Sequence, residues 1–276
     1  MKKYNKKPEK ISVLLTVFNE QEFINSSVKS ILNQSYNNFE FIIIDDYSND
    51  NTFKILKKIR DKRIKLYRLK KKLGRTKALN YGLKKCNSNY IAIQDADDLS
   101  FKNRLKTQIC QFSKDPTLGL LASRAIYTND DNIKIENSKI YFSKNLNKLK
   151  FRNFITHSSV MFKKNAIYKK NFLYDESYVY AQDYKMILTF LKLSKIFVLK
   201  KPLVKIRINR RRGMTVNEGL KLLIVKESIS LLKFAKKNFK NNLEETISIN
   251  LYLLRKYAKL SILFVQKFYG IFWKNS

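Results

Sequence analysis

The first hundred residues alternate between two hydrophobic periods, and that alternation limits the folds open to this chain more than any other feature. "ISVLLTVF" (11–18) and "FEFIII" (39–44) are β-branched apolar runs that stop abruptly at polar residues, as strands buried on both faces do. Between them Phe23, Ile24, Val28, Ile31 and Leu32 recur at helical spacing, with Asn19 placed to cap the helix. The pattern then repeats. Thr52 is placed to cap a helix carrying Phe53, Ile55, Leu56 and Ile59. "IKLYRL" (64–69) reads as a third strand, "RTKALNYGLKKC" (75–86) as a helix and "YIAI" (90–93) as a fourth strand. Strands and helices alternating at this spacing predict an α/β fold with an open, doubly wound, mostly parallel, Rossmann-like sheet.

Ligands of such sheets bind beyond the carboxyl ends of the strands. Three of those ends are polar here: Thr16, Phe18, Asn19 and Glu20 after the first strand, Asp45, Asp46 and Ser48 after the second, and Asp95, Asp97 and Asp98 in "YIAIQDADDLS" after the fourth. Parallel strands would bring all three to one crevice, where the carboxylates repel unless a cation sits among them. Mn²⁺ or Mg²⁺ suits the place, because hard ions take one or two carboxylates and complete their shell with water and phosphate oxygens. Two Asp one residue apart can then divide the work, one on the metal and one on a ligand hydroxyl. Alone, D-x-D is a weak signal, since acidic turns after strands are often merely solvated.

At 276 residues and 44% hydrophobic, the chain can bury a full core as one large domain, or as a domain with an appendage. Its net charge of +35 fits nucleic acid, an anionic membrane surface or a phosphate-bearing ligand, and equally a solvated surface rich in Lys. Nothing resembles a zinc finger, an aromatic RNA-binding strand or a basic zipper, so no nucleic-acid partner is expected. The basic start leads into no apolar stretch of signal-peptide length, and no window reaches the roughly 18 to 20 apolar residues that span a bilayer. A cytoplasmic protein is expected. Cys86 and Cys110 lie outside any CxxC spacing and read as unpaired thiols.

Four stretches in order resemble glycosyltransferase family 2, with its GT-A fold: "SVLLTVFNEQEFINSSVKSILNQSYNNFEFIIIDDYSNDNT", "GRTKALNYGLKKCNSNYIAIQDADD", "ITHSSVMFKKNAI" and "YDESYVYAQDYKMIL". The likeness runs over roughly residues 10 to 212. It implies an inverting enzyme that moves a sugar from a nucleotide diphosphate sugar, UDP-linked by expectation, to a hydroxyl of a glycan or lipid-linked glycan in cell-surface polysaccharide synthesis. Thr16, Phe18 and Asp46 fall where such enzymes hold the nucleotide base, with Glu20 beside them. Arg75 and Lys77 fall where the family contacts the nucleotide, and their charge suits a diphosphate. Asp95 matches the ribose-facing member of the D-x-D pair, and Asp97 the member that meets the metal. Asp98 reads as a cap of the following turn or an orienting group, with a direct ligand contact as the alternative.

The resemblance assigns Asp183, at the start of a predicted helix, as the base that takes the acceptor's proton; without it, Asp183 is an ordinary favourable partner for the helix dipole. His157, the only histidine, falls in the segment that lines the acceptor or sugar pocket. In "KPLVKIRINRRRGMT", Arg207 and Arg210 to Arg212 supply charge where the family meets the diphosphate, with Ile206 replacing an aromatic and Asn209 near the expected His. Further departures are Thr16 for a proline, Tyr47 for a glycine that would favour a left-handed backbone, Lys102 for a proline and Gln182 for a Glu. None removes a catalytic group.

Domain boundaries are expected at 1–215 for the transferase domain and 216–276 for a C-terminal helical extension. The extension reads as two helices broken near "NFKNN", with Phe268, Tyr269, Phe272 and Trp273 crowding its end. It is either a lid on the sheet or a basic amphipathic surface against an anionic membrane. Two other readings compete. A GT-A nucleotidyltransferase is disfavoured because no glycine-rich phosphate loop opens the chain; a basic membrane- or RNA-binding protein with an inactive GT-A fold would dispense with Asp97 and Asp183.

Overall fold

The β-branched runs become the centre of an eight-stranded sheet. The computed structural model describes residues 8–131, 133–135, 145–166, 174–208 and 218–272, with side chains to residue 263. Strands β1 (Ile11–Val17), β2 (Phe39–Asp45), β3 (Ile64–Arg68) and β4 (Tyr90–Asp95) lie in the order β3-β2-β1-β4, each pair parallel, as the alternation predicted. Every residue of β2 is buried, whereas β3 at the edge is half-buried.

Alternate side chains of these strands feed two cores on opposite faces. Leu14, Ile42, Ile44, Ile91 and Ile93 pack with Ala78, Leu79 and Leu83 of helix α3 (Arg75–Lys85). Val13, Leu15, Phe41, Ile43 and Ala92 pack with α1 (Ile24–Leu32) and α4 (Arg104–Lys114). Helix α2 (Thr52–Lys58) follows β2. Gly82 lets α3 approach the sheet closely, because a Cβ there would lie 2.3 Å from Leu14 Cδ1 and 3.1 Å from Ile44 Cγ1.

The second half is β5 (Leu99–Ser100), β6 (Leu118–Thr128), β7 (Met161–Lys163), α5 (Gln182–Leu193), β8 (Lys195–Arg207), α6 (Glu218–Asn238) and α7 (Leu243–Phe272). These strands extend the sheet in the order β4-β7-β6-β8-β5. The short strand β7 is antiparallel to both β4 and β6. That reversal decides where the site can be: the chain entering β7 must pass over the carboxyl end of β4, and Ile93 N donates to Val160 O at 3.0 Å there. Arg104, fully buried, bridges the same seam by donating to Ile93 O at 2.7 Å and Val160 O at 3.2 Å. Its other donors reach Gln94, Ser100 and Gln108, so burial lowers its guanidinium to about 9 without leaving it unpaired.

Two expected caps are corrected. Asn19 does not cap α1, which begins after Phe23; it sits at φ 56° and exchanges side-chain bonds with Asn49 instead. An Asn tolerates that left-handed backbone better than most residues. Thr52 is the first residue of α2 rather than its cap, and its hydroxyl accepts from Glu20 N at 2.8 Å, tying the first two strand ends together. The C-terminal pair of helices breaks at residues 239–242, as expected. Asn209, Arg210 to Arg212 and Trp273 lie outside the described residues.

Candidate active site

Three strand ends and one loop enclose a pocket of about 280 Å³. Thr16, Phe18 and Glu20 follow β1, Asp46 follows β2, Asp95 and Asp97 close β4, and Lys72, Gly74 and Arg75 enter from the start of α3. Thus the residues expected to hold nucleotide and metal, Thr16, Phe18, Glu20, Asp46, Arg75, Asp95 and Asp97, share one cavity. Lys77, further along α3, does not line it.

Loop latching accounts for part of this convergence. Asp46 accepts from Leu73 N at 2.7 Å and Gly74 N at 2.8 Å, fastening the loop before α3 against the end of β2. Gly74 makes the turn at φ 88°, and Arg75 then starts the helix inside the pocket. The Lys72 ammonium lies 3.6 Å from the Phe18 ring centroid, a cation–π contact that sequence reading missed within the run "KKKLGR". Tyr47, where a glycine was expected, nevertheless takes a left-handed backbone at φ 65°. The turn is therefore kept at a cost of about 1 kcal/mol or more, with Arg68 5.4 Å from the Tyr47 ring.

The acidic triplet is divided by its partners. Asp95 meets Arg75 Nη2 at 2.5 Å and lies 3.6 Å from His157 Nδ1. Burial alone would raise its carboxyl, but Arg75, His157 and Ser158 hold it well below the usual range. Asp97 has no such ion pair among the described residues, and burial together with the Asp95 charge pushes its carboxyl up. Asp98 is a buried anchor. Its carboxylate accepts from Ser158 Oγ and, at 3.1 Å, from Arg207 N, and burial raises it well above the ordinary value.

Arg207 lies behind the pocket rather than in its wall. It is 7% exposed, donates to Asp97 O and to Ser26 Oγ, and has its guanidinium 4.7 Å from the Phe23 ring. Holding the Asp97 backbone is what this geometry lets it do.

His157 and Asp183 do not line this pocket; they belong to a second group of residues, linked to it through Arg75. Its Nη2 also contacts His157 Nδ1 at 3.2 Å, and His157 Nε2 contacts Tyr174 Oη at 2.9 Å. With the Gln182 amide turned to donate to Val179 O and Tyr180 O, its oxygen accepts from Arg75 Nε at 3.3 Å. Asp183, in the first turn of α5, accepts from Asn153 Nδ2 at 3.3 Å. Burial pushes its carboxyl up, and the charges of His157 and Arg75 offset part of the rise.

The start of α5 has no side-chain cap of its own. Glu227 of α6 supplies one from a distance: its carboxylate accepts from Val179 N at 2.7 Å, Tyr180 N at 3.0 Å and Ala181 N at 2.8 Å. Tyr178 Oη also meets Ser230 Oγ at 2.7 Å. Sequence reasoning missed Glu227, since nothing local joins residues 227 and 181.

Whether a divalent cation fits can be tested on the donor set. Among the described residues no three His, Cys, Asp or Glu side chains gather to cage a metal unaided. Asp97 nonetheless lines the open pocket without an ion pair among the described residues, beside an Asp95 already met by Arg75, and a carboxylate so placed suits a hard ion completed by water and phosphate. The residues fit.

Sheet and pocket together define a GT-A protein, and the chain belongs to glycosyl transferase family 2, whose sequence model matches residues 12–176. The match ends before Asp183. The O-antigen biosynthesis glycosyltransferase WbnJ of Escherichia coli is 34% identical over 164 residues, 57% of this chain and 63% of that protein. WfgD of Escherichia coli, a UDP-Glc:alpha-D-GlcNAc-diphosphoundecaprenol beta-1,3-glucosyltransferase, is 34% identical over 121 residues, 44% of this chain and 47% of that one. The matches span less than two thirds of the length of these curated relatives. Among solved structures, S. aureus TarS in complex with UDP shares the fold with a TM-score of 0.67 at 18% identity, over 90% of this chain and 70% of that chain. The mannosyltransferase PcManGT of Pyrobaculum calidifontis, in complex with GDP-Man and Mn²⁺, shares it with a TM-score of 0.67 at 14% identity, over 94% and 74%.

Proposed function

We propose that this chain is an inverting glycosyltransferase that moves a sugar from a nucleotide diphosphate sugar, UDP-linked, to a hydroxyl of a glycan or lipid-linked glycan in cell-surface polysaccharide synthesis. The observation that carries the reading is the convergence of Thr16, Phe18, Glu20, Asp46, Arg75, Asp95 and Asp97 on one pocket. UDP in TarS and the diphosphoundecaprenol acceptor in the name of WfgD support the choice of donor and acceptor class.

Thr16 and Phe18 hold the base, with Asp46 keeping the loop over it, and Asp95 faces the ribose. Asp97, beside Asp95, would hold Mn²⁺ or Mg²⁺, which when bound would supply charge neutralisation at the diphosphate. Arg75, whose guanidinium is held charged by Asp95, faces the same phosphates. Asp183 takes the proton of the acceptor hydroxyl, its carboxyl raised by burial toward the range where a general base is effective. His157 keeps Arg75 placed between the two sides.

Residues 1–215 form the transferase domain in this reading, and 216–276 an extension that braces the base through Glu227. The outward side of α7 presents Leu243, Ile247, Leu251, Leu254 and Ile262, each at least 50% exposed, beside Arg255 and Lys259. Among the described residues no helix is long and apolar enough to cross a membrane. On a chain of net charge +35, that row suits the surface of an anionic bilayer carrying the lipid-linked acceptor. The deciding experiment is turnover with a panel of UDP-sugars and Mn²⁺, on lipid-linked acceptors, by the wild type, Asp97→Ala and Asp183→Ala. The reading requires turnover by the first alone.

A further inference from the structure

A second cavity, about 420 Å³ in volume and separate from the nucleotide pocket, opens between residues 145–152 and the start of α7. One wall carries Asn147, Lys148, Phe151 and Arg152; the other carries Glu244 and Tyr252. Phe151 and Tyr252 meet across it with ring centroids 6.1 Å apart and planes inclined at 24°. We infer that this cavity is a subsite for a neutral sugar residue of an oligosaccharide acceptor, one or more units away from the hydroxyl that is glycosylated.

Charge is the first argument. The walls hold Lys148 and Arg152 against Glu244 and Glu245, with Lys150 on Glu245 from behind, so the carboxylates cancel most of the local positive charge on a chain of net charge +35. A site for a phosphate, a nucleotide or a nucleic acid would concentrate cationic excess rather than offset it with two carboxylates. The walls instead offer amides and carboxylates, which donate to and accept from hydroxyls, beside aromatic carbon that can cover the apolar face of a ring. That mixture recognises a polyol.

Position is the second argument. Tyr184 Oη, next to Asp183, donates to Leu149 O at 2.5 Å, and Asn153, one residue past the wall, donates to Asp183. The other wall is tied in as well, because Glu245 Oε2 accepts from Lys150 Nζ at 2.9 Å, and α6 holds the α5 amino end through Glu227. The cavity and Asp183 are therefore fixed to each other, as a subsite must be to present a distant hydroxyl to a base.

The inference rests on the glycosyltransferase reading, and one experiment separates the two. Saturation-transfer NMR on the full chain would use maltotriose, cellotriose and triacetylchitotriose as saccharide probes, with UDP and Mg²⁺ as the nucleotide probe. Wild type should bind at least one trisaccharide, with affinity falling about tenfold in both Tyr252→Ala and Asn147→Ala while UDP binding is unchanged. Both positions are surface-accessible, and circular dichroism verifies that the variants fold. Silence from all three trisaccharides in the wild type, or undiminished binding in both variants, overturns the subsite. Failure of UDP to bind the wild type would overturn the donor reading instead, and leaves the trisaccharide result to stand or fall by itself.

Discussion

The two walls of the candidate active site are assembled in different ways. The wall of β1, β2 and β4 takes its side chains from strand tips, where residues adjacent in sequence are adjacent in space and three parallel strands fix the spacing. The other side, reached through Arg75, joins Asn153, His157, Tyr174 and Asp183 from separated segments, and depends on Glu227 in α6 for the start of α5. One wall is local and rigid by sheet pairing; the other is held by long-range polar bonds. The first should answer for nucleotide affinity, the second for turnover.

The most severe test of that division is Asp183→Asn. Losing a general base costs about 10²- to 10⁴-fold in rate, so turnover should fall by that factor while UDP affinity, measured calorimetrically with Mg²⁺, stays within about twofold. A comparable loss of nucleotide affinity would show that the walls are not separable. Asp97→Asn should lose both, abolishing turnover and also the metal dependence of UDP binding in the same titration.

Glu227→Gln comes next. Replacing a buried carboxylate that accepts three backbone donors should cost about 1–3 kcal/mol, read as a lower unfolding midpoint. Turnover should drop about tenfold through misplacement of Asp183, with UDP affinity retained. Unchanged turnover would reduce Glu227 to a purely structural cap.

The pH dependence sharpens the same contrast more gently. Asp183 must be ionised to accept a proton, and its carboxyl is raised by burial, so activity should be complete above that raised value and fall as pH drops through it. The acid limb of kcat against pH should therefore lie above the ordinary aspartate value and disappear in Asp183→Asn; a limb that survives in that variant belongs to another group. The smallest expected effect on chemistry is that of Leu251→Glu with Leu254→Glu on exposed α7. This pair should abolish cosedimentation with vesicles containing phosphatidylglycerol while leaving turnover on a water-soluble acceptor within about twofold.

The sequence made the first wall readable for the reason that makes it rigid. Strand ends such as Thr16, Asp46 and Asp97 declare themselves where an apolar run stops, and parallel pairing does the rest. Local signals misled where long-range bonds won: Asn19 looked like a cap but closes a turn with Asn49, and Thr52 is spent on Glu20 N. Arg207 had the right charge for a diphosphate, yet its partners Asp97 O and Asp98 come from the turn after β4, 110 and 109 residues away. Tyr47 shows the converse, a residue that resists its backbone angle in a turn formed nonetheless. Glu227 was invisible because a cap supplied by another helix leaves no spacing to read.

The guanidinium of Arg104 has a mechanical consequence. It grips one carbonyl on β4 and one just ahead of β7, inside a seam only three residue pairs long. A short antiparallel joint is where a sheet would otherwise slide or hinge when a substrate arrives. Pinned by a sealed cation, this one resists such movement, and the sheet beneath the pocket behaves as a fixed bench.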